Sequence, residues 1–290
     1  MTDYGVLFRE LAIPRLVGSV NHAKVREILK RELAARGFRV EEHGFAGRPS
    51  RALFGAPRQV NGINLIAMRS QAEAERTWLV AHYDSKGQPI SMAVRLLGFL
   101  GLASGVVGLL LAPAPAAALL VISLAVVFQN RVNDNSAGAV DNAAALVAIF
   151  MTLDQLSPSS SVGVIFPDGE EFGLVGARAL AADRAELFAD ASVINLDGID
   201  DSGRPIAFLH RAGRTSVAVV EALRARRWRW LPVIVDGIAL ARVARECVTI
   251  LKGDWHTMRV VHRPADNTTR VRLDGAATVA VALARVLRAA

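Results

Sequence analysis

Seven side chains of the types that hold metal ions and move protons stand at suggestive positions in this sequence, and five of them follow apolar runs that read as strands. Val162-Gly163-Val164-Ile165-Phe166 is short and β-branched, ends in Pro167-Asp168-Gly169, and delivers Glu170 and Glu171 before Gly173. Adjacent residues on extended chain point to opposite sides, so the two glutamates are suited to different work. One could bind a metal while the other handles protons, the division that metal-assisted hydrolysis needs. A solvated acidic turn is the competing reading of an isolated Glu-Glu pair. Trp78-Leu79-Val80-Ala81 likewise runs into His82-Tyr83-Asp84, where period-two geometry puts His82 and Asp84 on one side. A carboxylate there can fix the orientation of a metal-binding imidazole. Ala191 to Leu196 is a third apolar strand, ending in Asp197-Gly198. Asp141 stands at the start of a helix running through Leu153, where capping is the simpler role. His262 lies on a late loop, followed by Arg263-Pro264-Ala265-Asp266. Such a mixed imidazole and carboxylate set suits zinc.

Positioning these groups requires a scaffold with strands ending at one edge. Helix is expected over residues 22–37, 174–187, 216–227 and 273–287. Further strands are expected over residues 38–41, 64–68, 206–209, 232–235 and 248–251. Strands and helices alternate along the chain, which predicts one α/β unit with helices on both faces of a central sheet. In open α/β sheets, sites lie outside the carboxyl ends of strands. The length of 290 residues admits such a domain, and the hydrophobic content of 52% excludes a disordered chain. A single cysteine, Cys247, excludes an intramolecular disulfide and a thiolate-rich zinc cluster. The charge of +7 raises nucleic acid as a partner, through Arg224-Ala225-Arg226-Arg227-Trp228-Arg229-Trp230. A basic amphipathic surface helix has the same composition, and no nucleic-acid partner is expected.

The ordered series His-x-Asp, Asp-Asn, Glu-Glu, Asp-Gly and His-x-x-x-Asp resembles the co-catalytic di-zinc exopeptidases, which include bacterial aminopeptidases and relatives of glutamate carboxypeptidase. The resemblance runs from Ile13-Pro14-Arg15-Leu16-Val17-Gly18-Ser19 to the terminal helix. It implies a mixed central sheet with helices on both faces, in a three-layer sandwich, and two zinc ions per chain. By position, His82 and Asp197 would bind one zinc, Glu171 and His262 the other, and Asp141 would bridge them. Glu170 would be the general base, and Asp84 would orient His82. His256 competes with His262 for the last ligand position, and the His-Arg-Pro-Ala-Asp pattern favours His262. The implied activity is that of a metallo-exopeptidase, foremost an aminopeptidase acting on peptides. A carboxypeptidase or other amidase on the same metals is the alternative, as is a non-catalytic, membrane-attached binding module. The sequence departs from the family pattern at Ala145, where glycine is common, and in a long apolar stretch between the His-x-Asp and Asp-Asn motifs.

That stretch, Leu96 to Asn130, carries no charge and is divided by Pro113-Ala114-Pro115. Its first half approaches the ~20 residues that cross a bilayer as helix. Residues 93–130 therefore read as an inserted, membrane-type apolar helical hairpin, with residues 1–92 and 131–290 forming the catalytic domain; a buried helical hairpin or an oligomer contact is the competing reading. Membrane lipid is the expected partner of residues 96–128. Arg95 and Arg131 at the feet and the lack of a secretory signal place the expected membrane-attached domain on the cytoplasmic face.

Overall fold

The computed structural model describes residues 2–50, 54–69, 77–229 and 234–289. In chain order the elements are α1 (Tyr4–Leu11), α2 (Val20–Ala35), β1 (Phe38–Gly47), β2 (Val60–Arg69), β3 (Thr77–Val80), α3 (Met92–Gly108), α4 (Pro113–Val127), α5 (Ala144–Leu153) and β4 (Val162–Phe166). They continue with α6 (Val175–Asp183), β5 (Ser192–Ile199), β6 (Arg204–Arg211), α7 (Arg214–Ala222), β7 (Arg226–Arg227), α8 (Asp236–Leu240), β8 (Glu246–Gly253), α9 (Trp255–Val260) and α10 (Asp274–Arg288).

Among the described residues, eight strands make one mixed sheet in the order β1-β2-β4-β3-β5-β8-β6-β7. The central β4, β3, β5 and β8 run parallel, while β1, β2 and β6 join antiparallel. Strand alternation builds the layers. Leu79, Val164, Phe166 and Ile194 point to one face, where they pack with α1, α2, α5, α7 and α10. Trp78, Val80, Ile165 and Val193 point to the other, against α6 and α8. Burial on both faces explains why β3 and β4 are uninterrupted apolar runs. The expected α/β architecture with a mixed sheet is thus the observed one.

Helix α2 illustrates how local signals act. Ser19 caps its start by accepting from the His22 amide, and Val25, Ile28, Leu29 and Leu33 bury one stripe. Other boundaries differ from expectation. Helix α6 stops at Asp183, because Arg184 leaves helical geometry, and residues 185–187 form only a 3-10 turn. The helix expected over residues 216–227 ends at Ala222. Arg224 then takes a left-handed φ of 48°, and Arg226 and Arg227 pair with β6 as strand. The strand expected over 232–235 lies partly outside the described residues; Val235 has extended backbone just before α8.

The apolar stretch forms α3 and α4, which pack on each other. A Cβ on Gly101 would meet Ser123 Oγ at 2.2 Å, and one on Gly105 would meet Leu120 Cδ2 at 2.7 Å, so glycine sets the closeness of the seam. Among the described residues, no helix is long and apolar enough to cross a membrane. The expected span through residues 96–128 is corrected accordingly. With 17 and 15 residues, α3 and α4 fall below the ~20 that a crossing requires. Residues 109–112 are spent on the turn and Pro113 restarts helix, while the first turns of α3 face the protein, where Arg95 is half-buried. With the span goes the membrane-attached placement of the domain on the cytoplasmic face.

Candidate metal centre

The carboxyl ends of β3, β4 and β5 converge, and the turn before α5 and the loop after α9 close over them. His82 and Asp84 follow β3, Glu170 and Glu171 lie on the 3-10 turn after β4, and Asp197 sits near the carboxyl end of β5. Gly173, at φ 99°, lets the chain turn after the glutamates where a side chain would be strained. Asp141 does not cap α5. Its φ and ψ of −119° and 82° are non-helical, helix begins only at Ala144, and its carboxylate turns inward.

Two groups of three ligand-type side chains result. His82, Asp141 and Asp197 form one, and Asp141, Glu171 and His262 form the other; within each, the candidate donor atoms lie within 4.8 Å of one another. Asp141 is common to both. Its Oδ1 lies 3.1 Å from His82 Nε2, and its Oδ2 lies 3.1 Å from His262 Nε2. His262 Nε2 is also 3.1 Å from Glu171 Oε2. All five residues are buried. Glu170 belongs to neither group, but lines the same cavity of about 540 Å³. His256 is exposed and outside both groups. His22 is not a surface residue: it is buried against Asp168 at 2.8 Å and stacks on Tyr83. His43 pairs with Asp183, and His210 meets Thr249.

A supporting layer holds these groups. Asp84 accepts from the amides of Glu170 and Glu171, each at 3.2 Å, and lies 3.4 Å from His82 Nδ1. One carboxylate thereby fixes the glutamate turn and the imidazole together. Asp266 accepts from the Val140 amide at 2.7 Å, and Asn142 ties its own turn to Leu196 and Gly198 of β5. Buried Arg15 reaches the carbonyls of Tyr83, Ala137 and Gly138, joining the His82 and Asp141 loops. Lys86 pairs with Glu171 Oε2 at 2.8 Å. Sequence reasoning assigned no role to Lys86, Asn142 or Asp236. Lys86 lies two residues beyond Asp84 and Asn142 directly follows Asp141, so position alone pointed to them. Asp236 carried no signal beyond a Val-Asp-Gly turn.

Packing so many carboxylates out of water divides their proton affinities. Burial raises the Asp197 pKa to about 7, with Asp141 adding to the rise and His82 opposing it. Burial also pushes Glu170 well above the ordinary glutamate value; His82 eases this, while Asp197, Glu171 and Asp236 add to it. Burial drives Asp236 up too, and neither of its buried oxygens has a hydrogen-bond partner. Burial acts in the same direction on Glu171 and Asp141 but is outweighed. His262 and Lys86 bring Glu171 down to about 2, and hydrogen bonds to His262 and His82 hold Asp141 well below its usual range. For His82, burial is outweighed by Glu170, Asp141 and Asp84, which hold its pKa well above the usual imidazole value.

Within the second group, Glu171 Oε1 is buried with no hydrogen-bond partner, and His262 Nε2 faces the carboxylates of Asp141 and Glu171 together. Buried polar atoms of a folded protein are nearly always satisfied, so an unpartnered carboxylate oxygen beside an imidazole and a second carboxylate fits a cation. Imidazole and carboxylate donors in both groups suit a borderline divalent ion, and the residues present fit the metal that the sequence resemblance implies.

The model of peptidase family M28 matches residues 64–230. No curated protein matches the sequence. Among solved structures, the glutaminyl cyclase of Porphyromonas gingivalis superposes with a TM-score of 0.70 at 15% identity, covering 99% of this chain and 96% of that one. An aminopeptidase from Aneurinibacillus sp. strain AM-1 gives 0.64 at 11% identity, with 98% and 92% covered. A leucine aminopeptidase precursor from Bacteroides thetaiotaomicron gives 0.65 at 14%, with 98% and 95% covered. At these identities the likeness is one of fold. The family match, spanning more than half of the 290 residues and taking in His82, Asp141, Glu170, Glu171 and Asp197, shows that this chain belongs to peptidase family M28.

Proposed function

We propose that this protein is a two-zinc exopeptidase that removes residues from the amino end of peptides. The observation that carries the reading is the pair of buried ligand groups sharing Asp141, with the unshared carboxylate of Glu170 in the same cavity. His82 and Asp197 would hold one zinc, Glu171 and His262 the other, and Asp141 would span both. When bound there, zinc supplies Lewis acidity toward the scissile carbonyl and lowers the pKa of water. Glu170 takes a proton from the attacking water and passes it to the leaving amine. Its raised pKa makes it a stronger proton acceptor than an ordinary glutamate. Asp84 holds Glu170 and His82 in place through the contacts described above.

The cavity walls are largely apolar. Met92, Leu96 and Phe99 of α3 share them with Phe208, Trp228 and Met258. A leucyl or phenylalanyl terminus is therefore expected to react with a higher kcat/KM than a glutamyl one, by on the order of tenfold or more, since a buried charge without a partner is costly. Kinetics on a series of dipeptides differing only in the first residue measures this, and equal values would contradict the assignment of these walls to the substrate.

A second reading is cyclisation of an N-terminal glutaminyl residue, the activity named for the Porphyromonas gingivalis structure. Asp236 favours it. A buried carboxyl with a raised pKa and unpartnered oxygens, electrostatically coupled to Glu170, could share a proton relay from amine to departing ammonia. Peptides beginning with Gln and with Leu separate the two readings by mass. The exopeptidase releases the first amino acid from both, whereas a cyclase converts only the Gln peptide, with loss of ammonia and no shortening.

Zinc affinity is expected to rise with pH. Asp197 carries a proton up to about 7, and the His82 imidazole is protonated between its carboxylate neighbours. These protons leave before the atoms can ligate, so below about pH 7 the dissociation constant of the site they share falls at least ~10-fold per pH unit gained. Competition against a chromophoric chelator across that range reports it. A flat profile would show that neither residue is a ligand.

A further inference from the structure

The ligand candidate His262 is steered by a residue that the proposed chemistry does not use. Gln88 is buried between the His82 loop and α3, and its side-chain oxygen lies 3.1 Å from His262 Nδ1. Its backbone amide also donates to the His262 carbonyl at 2.8 Å, so the two residues are clamped at both backbone and side chain. The same side-chain oxygen accepts from the Arg95 guanidinium, and the Gln88 side-chain nitrogen donates to Asn130 Oδ1. Arg95 lies in the first turn of α3, and Asn130 follows α4. The two ends of the α3–α4 segment therefore meet on this one amide.

The arrangement determines which way round the amide sits. A guanidinium has donors only, so the atom facing Arg95 must be the oxygen of Gln88. An oxygen there accepts the proton of Nδ1, so when His262 gives up the Nε2 proton that faces Asp141 and Glu171, the ring is left with its lone pair on Nε2. That tautomer is the one needed for ligation through Nε2.

We propose that Gln88, held by Arg95 and Asn130, is the positioning residue for His262, fixing its tautomer and ring orientation and thereby setting the metal affinity of the Asp141–Glu171–His262 group. This rests on the reading of that group as a metal site. The α3–α4 segment, which lies between the His-x-Asp and Asp-Asn motifs, is thereby part of the catalytic apparatus rather than an appendage.

The test is zinc binding to the full chain, measured by titration against a chromophoric chelator, for the unsubstituted protein, His262→Ala, Gln88→Leu and Gln88→Glu. The unsubstituted protein is expected to hold two zinc ions and His262→Ala one. Gln88→Leu keeps the volume and removes the acceptor, so its weaker site is expected to lose ~10–100-fold in affinity. Gln88→Glu restores an acceptor for Nδ1 and a partner for Arg95, so it is expected to bind at least as tightly as the unsubstituted protein. A residue with a merely structural role would not give that rescue. Should Gln88→Leu fail to fold, Gln88→Asn, whose shorter amide falls short of Nδ1, carries the same comparison. If His262→Ala holds as much zinc as the unsubstituted protein, the metal reading of the group fails. If His262→Ala loses an ion while Gln88→Leu binds like the unsubstituted protein, or Gln88→Glu is as weak as Gln88→Leu, the positioning role alone is overturned.

Discussion

Glu170→Gln is expected to keep both zinc ions and to lose turnover by a factor on the order of 10²–10⁴, the usual cost of removing a proton acceptor. Glu170 faces the cavity but belongs to neither ligand group, so its amide replaces no metal bond. The glutamate turn itself is held from the backbone, by Asp84 accepting from the amides of Glu170 and Glu171. A side-chain change at Glu170 therefore leaves Glu171 in position. Loss should appear in kcat rather than in KM, because the proton moves only on the way to the transition state. Near-normal kcat would remove Glu170 from the mechanism. Loss of one zinc instead would mean that Glu170, not Glu171, is the ligand.

Asp141→Ala is expected to empty both sites, whereas His262→Ala empties one. The two oxygens of Asp141 face different imidazoles, Oδ1 toward His82 and Oδ2 toward His262. Its removal takes a bond from each ion, and each dissociation constant should rise by more than the ~10–100-fold that loss of an outer partner costs. In the metal-free protein the same change leaves His82 Nε2 without its buried acceptor, so the milder Asp141→Asn is a useful companion. Elemental analysis of the desalted proteins gives the stoichiometry. Two zinc ions retained in Asp141→Ala would place the bridge elsewhere, with Asp197 and Glu171 binding independently.

The strands were legible because each central one is buried on both faces, so an unbroken apolar run such as Trp78–Val80 marks it without ambiguity of side. Their carboxyl ends were legible as well, since polar, ligand-type residues follow at once. Of the groups that support the site, Asp84 was legible and most others were not. Lys86, Gln88 and Asp236 act through contacts with residues far along the chain, and only the folded path brings Gln88 to His262. Asp141 read as a helix cap because its sequence neighbours are helical, yet its backbone is held out of helix, with Asn142 tied across to β5 and Asp266 bound to the preceding turn. At the end of α7 the left-handed Arg224 broke a pattern that propensity alone would have continued. The apolar stretch misled for a different reason. Absence of charge is the same signal whether a helix faces lipid or packs on a partner through glycines, and it does not count the residues spent on caps and turns.

The most direct test of the central claim is a timed digest of a leucine-terminated peptide of about ten residues, followed by mass spectrometry with zinc-loaded protein and with chelated protein. Metal-assisted removal of terminal residues predicts a ladder that shortens one residue at a time from the amino end and disappears on chelation. A peptide left intact by the zinc-loaded protein, or a ladder running from the carboxyl end, would contradict it.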